Sequence, residues 1–246
     1  MERNHRRDAP PPRGAPAAPS PHGTAPGLAV TVTHFRPSPG IPPQAAVPQG
    51  QPIALSSRRH HIDDVHTDPQ ALLLEAVAFA AEKHRHQRRK DADASPYINH
   101  PIALANLLKR EGVDDVAVLC AALLHDTIED TNTTADELRV LFGEIITSVV
   151  LEVTDDKDLD RAQRKRLQVE HAHAVSERAK LVKLADKICN VYDMVAAPPA
   201  TWTIERKREY LRWSKNVVDR LRGAHPGLEA IFDDVYAKGV RALGEP

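Results

Sequence analysis

The sequence predicts an all-α domain preceded by a disordered N-terminal tail. Three observations carry this. From Pro69 onward apolar residues recur at helical spacing, and one run, Val116 to Leu124, is apolar on every face. No stretch alternates apolar and polar residues long enough to make a strand. Before residue 53, by contrast, lie thirteen of the twenty prolines, mixed with Ala, Gly, Ser and Gln. Such a segment buries too little apolar surface to offset its ordering entropy. The expected division is therefore a tail over 1–66 and one domain over 67–246. His60, His61 and His66, near the end of the tail, read as parts of a polar linker.

The first helix is expected from Pro69, with Leu72, Leu73, Ala76, Phe79 and Ala80 on its apolar face. A loop carrying Arg88-Arg89-Lys90-Asp91 leads to Pro96 and to a helix opening at Pro101, a residue favoured in a first turn. Gly112 closes that helix. Val116–Leu124 should be a buried helix, since it has no polar face and is too short to span a bilayer. Thr134 and Glu137 suggest a capping box for the next helix, and Gly143 punctuates it before Ile145 to Val153. The Asp155-Asp156-Lys157-Asp158 loop precedes a charged helix over about 160–174. Helices from Ser176 to Val195, from Thr203 to Leu221 and near 228–242 complete the chain. Trp202, Trp213 and Phe232 read as core.

Bulk properties exclude several classes. With 33 basic and 34 acidic residues the formal net charge is −1, so no global field calls for a nucleic-acid or membrane partner. Any phosphate recognition must come from a local basic cluster. The two cysteines, Cys120 and Cys189, form no disulfide framework and fit a reducing, cytoplasmic compartment. The N-terminus lacks the apolar core of a signal peptide. No feature sets an oligomeric state.

The most informative segment is the end of the apolar run, AALLHDTIED, with His125, Asp126, Glu129 and Asp130. An all-apolar helix puts its last turn inside the protein, where unpaired carboxylates are costly and demand cations or hydrogen bonds. A metal on His125 and Asp126 would supply the charge. Glu129 and Asp130 lie about 6 Å further along the axis, too far to join the same ion easily but suitable for handling a water or a proton. Taken by itself, the His-Asp pair reads more simply as a core histidine satisfied by a carboxylate; four acidic or imidazole groups directly after nine apolar residues shift that balance. His100, at a loop-to-helix junction, is either a third ligand or a capping residue. Asp186 shares the polar arc of its helix with Lys183, Asn190 and Asp193, near the apolar edge where a half-buried ligand would sit. The pairs His84/His86 and His171/His173 are two residues apart on helices and cannot share a metal.

Together these segments resemble the hydrolase domain of the RelA/SpoT alarmone enzymes, especially the small stand-alone alarmone hydrolases that include the metazoan SpoT homologs. The markers are KHRHQRRKDADASPYINHPIALA, AALLHDTIEDTNTT, EVTDDKDLDRAQRKRLQVEHA, AKLVKLADKICN and REYLRWSKNVV, running in order from about Ala71 to Tyr236. The resemblance implies an HD-type helical bundle with His100, His125, Asp126 and Asp186 as ligands of one manganese ion. Ligand type alone would also suit iron or zinc. It implies Glu129 and Asp130 as the catalytic pair, and Arg89, Lys90, Asn190 and Tyr210 as substrate contacts.

The implied reaction is hydrolysis of guanosine 3′,5′-bis(diphosphate) to GDP and pyrophosphate, which removes an alarmone of the stringent response. Arg88, Arg89, Lys90, Lys157, Arg161, Arg164 and Lys183 could cradle so anionic a substrate. Arg161, Arg164 and Lys165 read more simply as solvated helix charges. With no room for a synthetase domain after the hydrolase region, a degradation-only enzyme is expected. Two alternatives stay open. One is removal of the 2′-phosphate of NADPH, and the other is a non-catalytic alarmone sensor, against which Glu129 and Asp130 both argue. If 1–66 is a tail without a core, deleting it should leave the thermal midpoint of the protein nearly unchanged in calorimetry.

Overall fold

The computed structural model describes residues 68–199 and 201–244; the expected tail and its histidines lie outside them. Among the described residues nine helices follow one another: α1 (Pro69–Lys83), α2 (Asn99–Arg110), α3 (Val116–Leu124), α4 (Thr127–Asp130), α5 (Ala135–Val153), α6 (Arg161–His171), α7 (Glu177–Ala196), α8 (Ile204–Asp219) and α9 (Pro226–Leu243). The all-α expectation holds. The one extended pairing is an isolated antiparallel bridge between Arg88 and Pro96, which closes the basic loop.

Helix α3 is the centre. Val118 through Leu124 are all buried, and α1, α2, α5 and α7 pack around them. Asp115 caps its start by accepting from the Ala117 N–H, and Arg178 pairs with the same carboxylate at 2.7 Å. Its end is closed inside the protein. Thr127, fully buried, donates to the Leu124 carbonyl at 2.7 Å and so satisfies a group that water cannot reach. Helix α7, long and amphipathic, lies against α2, α3 and α5 on one side and α8 and α9 on the other. Phe232 is fully buried there, as expected.

Several local expectations are corrected. α2 opens at Asn99, two residues before Pro101, because the first turn of a helix needs no N–H from proline. Thr134 caps α5, but the box is half made: Glu137 turns away to Lys83, 2.9 Å distant. The full capping box belongs to Asp160 and Gln163 at α6. Trp202 and Trp213 are only partly buried. Trp213 donates to the Lys165 carbonyl, and the Lys165 ammonium lies 5.2 Å above its ring and 3.1 Å from Glu209, so Lys165 is not a simple solvated charge.

Gly143 does not end α5 but kinks it, with φ 80° and ψ 171°. No atom beyond its chain neighbours would meet an added Cβ within 4 Å, so only backbone strain opposes a side chain there. Gly143→Ala should therefore cost about 1–3 kcal/mol in urea unfolding, the scale of a conformation nearly reserved for glycine.

Candidate active site

His100, His125 and Asp126 converge where the ends of α2 and α3 meet. One ligand atom from each lies within 4.8 Å of the others. Local sequence explains the arrangement. His125 follows directly on the buried run, so its ring has nowhere to go but the interior, and it is 5 % exposed. Its Nδ1 lies 2.8 Å from the Ala122 carbonyl, which can only accept, so Nδ1 carries a proton and Nε2 faces the cluster. That Nε2 lies 3.0 Å from Asp126 Oδ2 without an aligned hydrogen bond, and it is buried with no hydrogen-bond partner. Asp186, from the middle of α7, adjoins the set: its Oδ1 is 3.2 Å from His100 Nε2 and 4.0 Å from His125 Nε2.

The charges are compensated by neighbours that the sequence reading missed. Tyr97, buried ahead of α2, donates its hydroxyl to Asp126 Oδ2. Lys187, 6 % exposed, places its ammonium 2.9 Å from Asp186 Oδ2 and 4.5 Å over the Trp213 ring. A lysine next to an aspartate in an amphipathic helix was the available signal for this partner.

Burial alone would raise both carboxyls. His125 nonetheless holds Asp126 below the usual carboxylate range, and Lys187 with the two histidines does the same for Asp186. Burial lowers His100 more than Asp186 restores, keeping it neutral. For His125 burial also pulls downward, but Asp126 and Asp186 outweigh it and leave the imidazole at about 9. The unpartnered Nε2 beside two carboxylates held in the ionised range fits a divalent ion.

The cluster opens through His100 onto a cleft of about 540 Å³. One wall carries Arg88, Arg89 and Lys90, and another carries Asn190, Tyr210 and Trp202, with Asp130 at the rim. All four expected substrate contacts therefore meet in one cavity. Arg89 donates to Asp193 at 2.5 Å and to Asn190 Oδ1 at 3.3 Å, while Asn190 donates to Asp186 at 2.5 Å. Asn190 thereby links the basic wall to the carboxylate cluster. Burial lifts the Tyr210 hydroxyl to about 12, which keeps it a neutral donor between Trp202 and Trp213.

Other expected members of the cradle lie elsewhere. Arg161, Arg164, Lys157 and Lys183 do not line the cleft. Lys157 stands 3.6 Å from Asp130, and Lys183 is drawn below the ordinary lysine range by burial and by Lys187. The acidic pair is also divided. Asp130 lines the cleft, whereas Glu129, outside that lining, accepts from the Asp155 N–H at 3.2 Å and stands near enough to Asp126 and Asp130 for their charges to act on it.

The HD domain family matches residues 76–211 of this sequence, more than half of the chain. This chain belongs to the HD-domain family. Its HD domain is 53 % identical over 167 residues to the guanosine-3′,5′-bis(diphosphate) 3′-pyrophosphohydrolase MESH1 of Xenopus tropicalis, covering 68 % of this chain and 93 % of that protein. The human protein of the same name is 54 % identical over 167 residues, with the same coverage. A solved structure described as a metazoan ortholog of SpoT that hydrolyses ppGpp superposes with a TM-score of 0.68 and 46 % identity, over 72 % of this chain and 99 % of that one.

Glu129 of this HD domain offers a pH test. Burial raises its carboxyl, Asp126 and Asp155 raise it further, and it reaches about 7 from an ordinary value of 4.5. Between those values the folded chain keeps a proton that the unfolded chain has released. Glu129 therefore subtracts stability as pH rises from about 4.5 to about 7, and nothing further above that. Glu129→Gln should flatten that part of the pH–stability curve of the metal-free protein, measured by urea titration across the window.

Proposed function

We propose that this chain is a metal-dependent hydrolase that cleaves guanosine 3′,5′-bis(diphosphate) at its 3′ side, releasing pyrophosphate and leaving GDP. The observation that carries the reading is the junction of a buried imidazole–carboxylate cluster with a cleft walled by Arg88, Arg89 and Lys90. A cation site next to guanidinium and ammonium groups suits a substrate whose charge is phosphate. The curated relatives named for this activity support the same reading.

His100, His125, Asp126 and Asp186 would hold one divalent ion, manganese in our reading. When bound, such an ion polarises phosphoryl oxygens and lowers the pKa of water. The protein's own groups do the rest. Arg89, already oriented by Asp193 and Asn190, and Lys90, exposed beside it, pair with phosphate oxygens. Asp130 orients the attacking water at the cleft rim. Glu129, with its carboxyl near 7, is matched to exchanging a proton at neutral pH. The water oxygen bonds to the 3′ phosphorus, the bond to the ribose 3′ oxygen breaks, and that oxygen leaves protonated on GDP. Two buried, unpaired cysteines fit a cytoplasmic setting.

The deciding experiment incubates the manganese-loaded protein with guanosine 3′,5′-bis(diphosphate) and identifies products by ion-exchange chromatography. Pyrophosphate with GDP is expected; release of single phosphates in succession would refute the pyrophosphohydrolase step and point to stepwise phosphatase chemistry. A higher kcat/KM for NADPH would make the 2′-phosphatase the better assignment. Asp126→Asn and Asp186→Asn should lose bound metal and turnover together. Asp130→Asn should keep the metal and lose about 10²–10⁴ in turnover, the range for removing general acid–base help. Lys90→Ala should raise KM while leaving the metal in place.

A further inference from the structure

His84 is a buried histidine that the reaction above does not use. It closes the C-terminal end of α1 and is 2 % exposed. Its Nδ1 lies 2.6 Å from Gln87 Oε1, and Gln87 Nε2 donates to Asp130 Oδ2 at 2.8 Å. The direction of this chain is fixed from its far end. An ionised carboxylate only accepts, so Gln87 must turn its NH₂ toward Asp130. Its carbonyl oxygen then faces His84 and needs a donor, so His84 carries a proton on Nδ1.

His84 Nε2, in turn, is buried without a hydrogen-bond partner. An unpaired buried nitrogen costs stability, and an apolar side chain would avoid that cost at the same place. The imidazole therefore contributes something that packing alone does not require. The backbone around Gln87 is also held. Its N–H donates to the His84 carbonyl at 2.9 Å, and its carbonyl accepts from Tyr97 at 3.1 Å. Lys157, the other partner of Asp130, is more distant at 3.6 Å and has a half-exposed side chain. The ordering contact is Gln87.

We propose that His84 and Gln87 are positioning residues for Asp130: His84 locks the Gln87 amide in one orientation, and Gln87 aims the Asp130 carboxylate along the cleft rim. This rests on the reading of Asp130 as the water-orienting group. The His84 ring also packs against Tyr97, with centroids 4.8 Å apart, and Tyr97 touches Asp126. The test must separate the donor from the packing.

His84→Ala and His84→Asn do so, because both delete the ring while asparagine alone returns an N–H at the place of Nδ1. Turnover of guanosine 3′,5′-bis(diphosphate), bound manganese and thermal midpoint are measured for these variants, for Gln87→Ala and for the His84→Ala/Gln87→Ala double variant. Gln87→Ala and His84→Ala should each lower kcat about ten- to hundredfold with KM and metal content unchanged, less than outright loss of an acid–base group. His84→Asn should recover most of kcat while its thermal midpoint stays as low as that of His84→Ala. The double variant should be no slower than Gln87→Ala, since both act through one bond.

Equal turnover of the Ala and Asn variants, or loss of metal from His84→Ala, would make His84 a packing residue and overturn the proposal. Wild-type turnover by Gln87→Ala would overturn it too. Asp130→Asn is assayed in parallel: wild-type turnover there would remove the underlying reading of Asp130, whereas an inactive Asp130→Asn beside a fully active Gln87→Ala would defeat the positioning role alone.

Discussion

The rest of the structure depends on negative charge placed largely out of water. Asp126 follows the end of α3, whose last seven residues are buried, and Asp186 meets it from the middle of α7, both carboxylates mostly withdrawn from solvent. An ionised carboxylate in such a place is tolerated only with cations and hydrogen bonds around it. Each neighbour answers that demand. Lys187 gives up solvent to sit on Asp186, Tyr97 turns its hydroxyl to Asp126, and His125 keeps a proton in a setting that would otherwise remove it. The site thus gathers imidazole and carboxylate donors of the kind that suit a divalent cation.

The elements that meet this demand are far apart in the chain. His100 and Asp186 are separated by 86 residues and belong to α2 and α7, with the end of α3 between them. No short segment contains the proposed ligand set, so it is assembled only once three helices have packed. An ion bound there would favour the folded chain over the unfolded one and tie metal affinity to the integrity of the core. The buried face of α3 and the chemistry at its end are in this sense one construction.

How much of this was legible in the sequence depended on range. Apolar periodicity located the long helices, and the unbroken run from Val116 to Leu124 identified the central one, since burial follows directly from the absence of a polar face. Residues at the ends of such runs, His125 and Asp126, were legible for the same reason. His100 and Asp186 stood out locally only as candidates, and Arg89, Lys90, Asn190 and Tyr210 came only from the ordered motifs of a family, because spacing says nothing about contacts across a hundred residues. Lys187, Gln87 and His84 stayed hidden. Their significance lies in which side chain each one meets: a helical wheel puts Lys183, three residues back, on the arc of Asp186, yet its partner is the adjacent Lys187. Arg161 and Arg164, which read more simply as solvated helix charges, share the sign of the basic loop but are not among the residues that line the cleft.

The hydrogen bond from His125 Nδ1 to the Ala122 carbonyl has one more consequence. Its acceptor is main chain, three residues back in the same helix, and every amino acid presents the same oxygen there. The orientation and tautomer of this buried imidazole are therefore independent of side-chain identity at position 122, within the size the core accepts. Drift in the sequence can remodel the helices around this ring without rotating it. A ligand anchored to backbone in this way is robust to mutation in a manner that Asp186, which answers to side chains on other elements, is not.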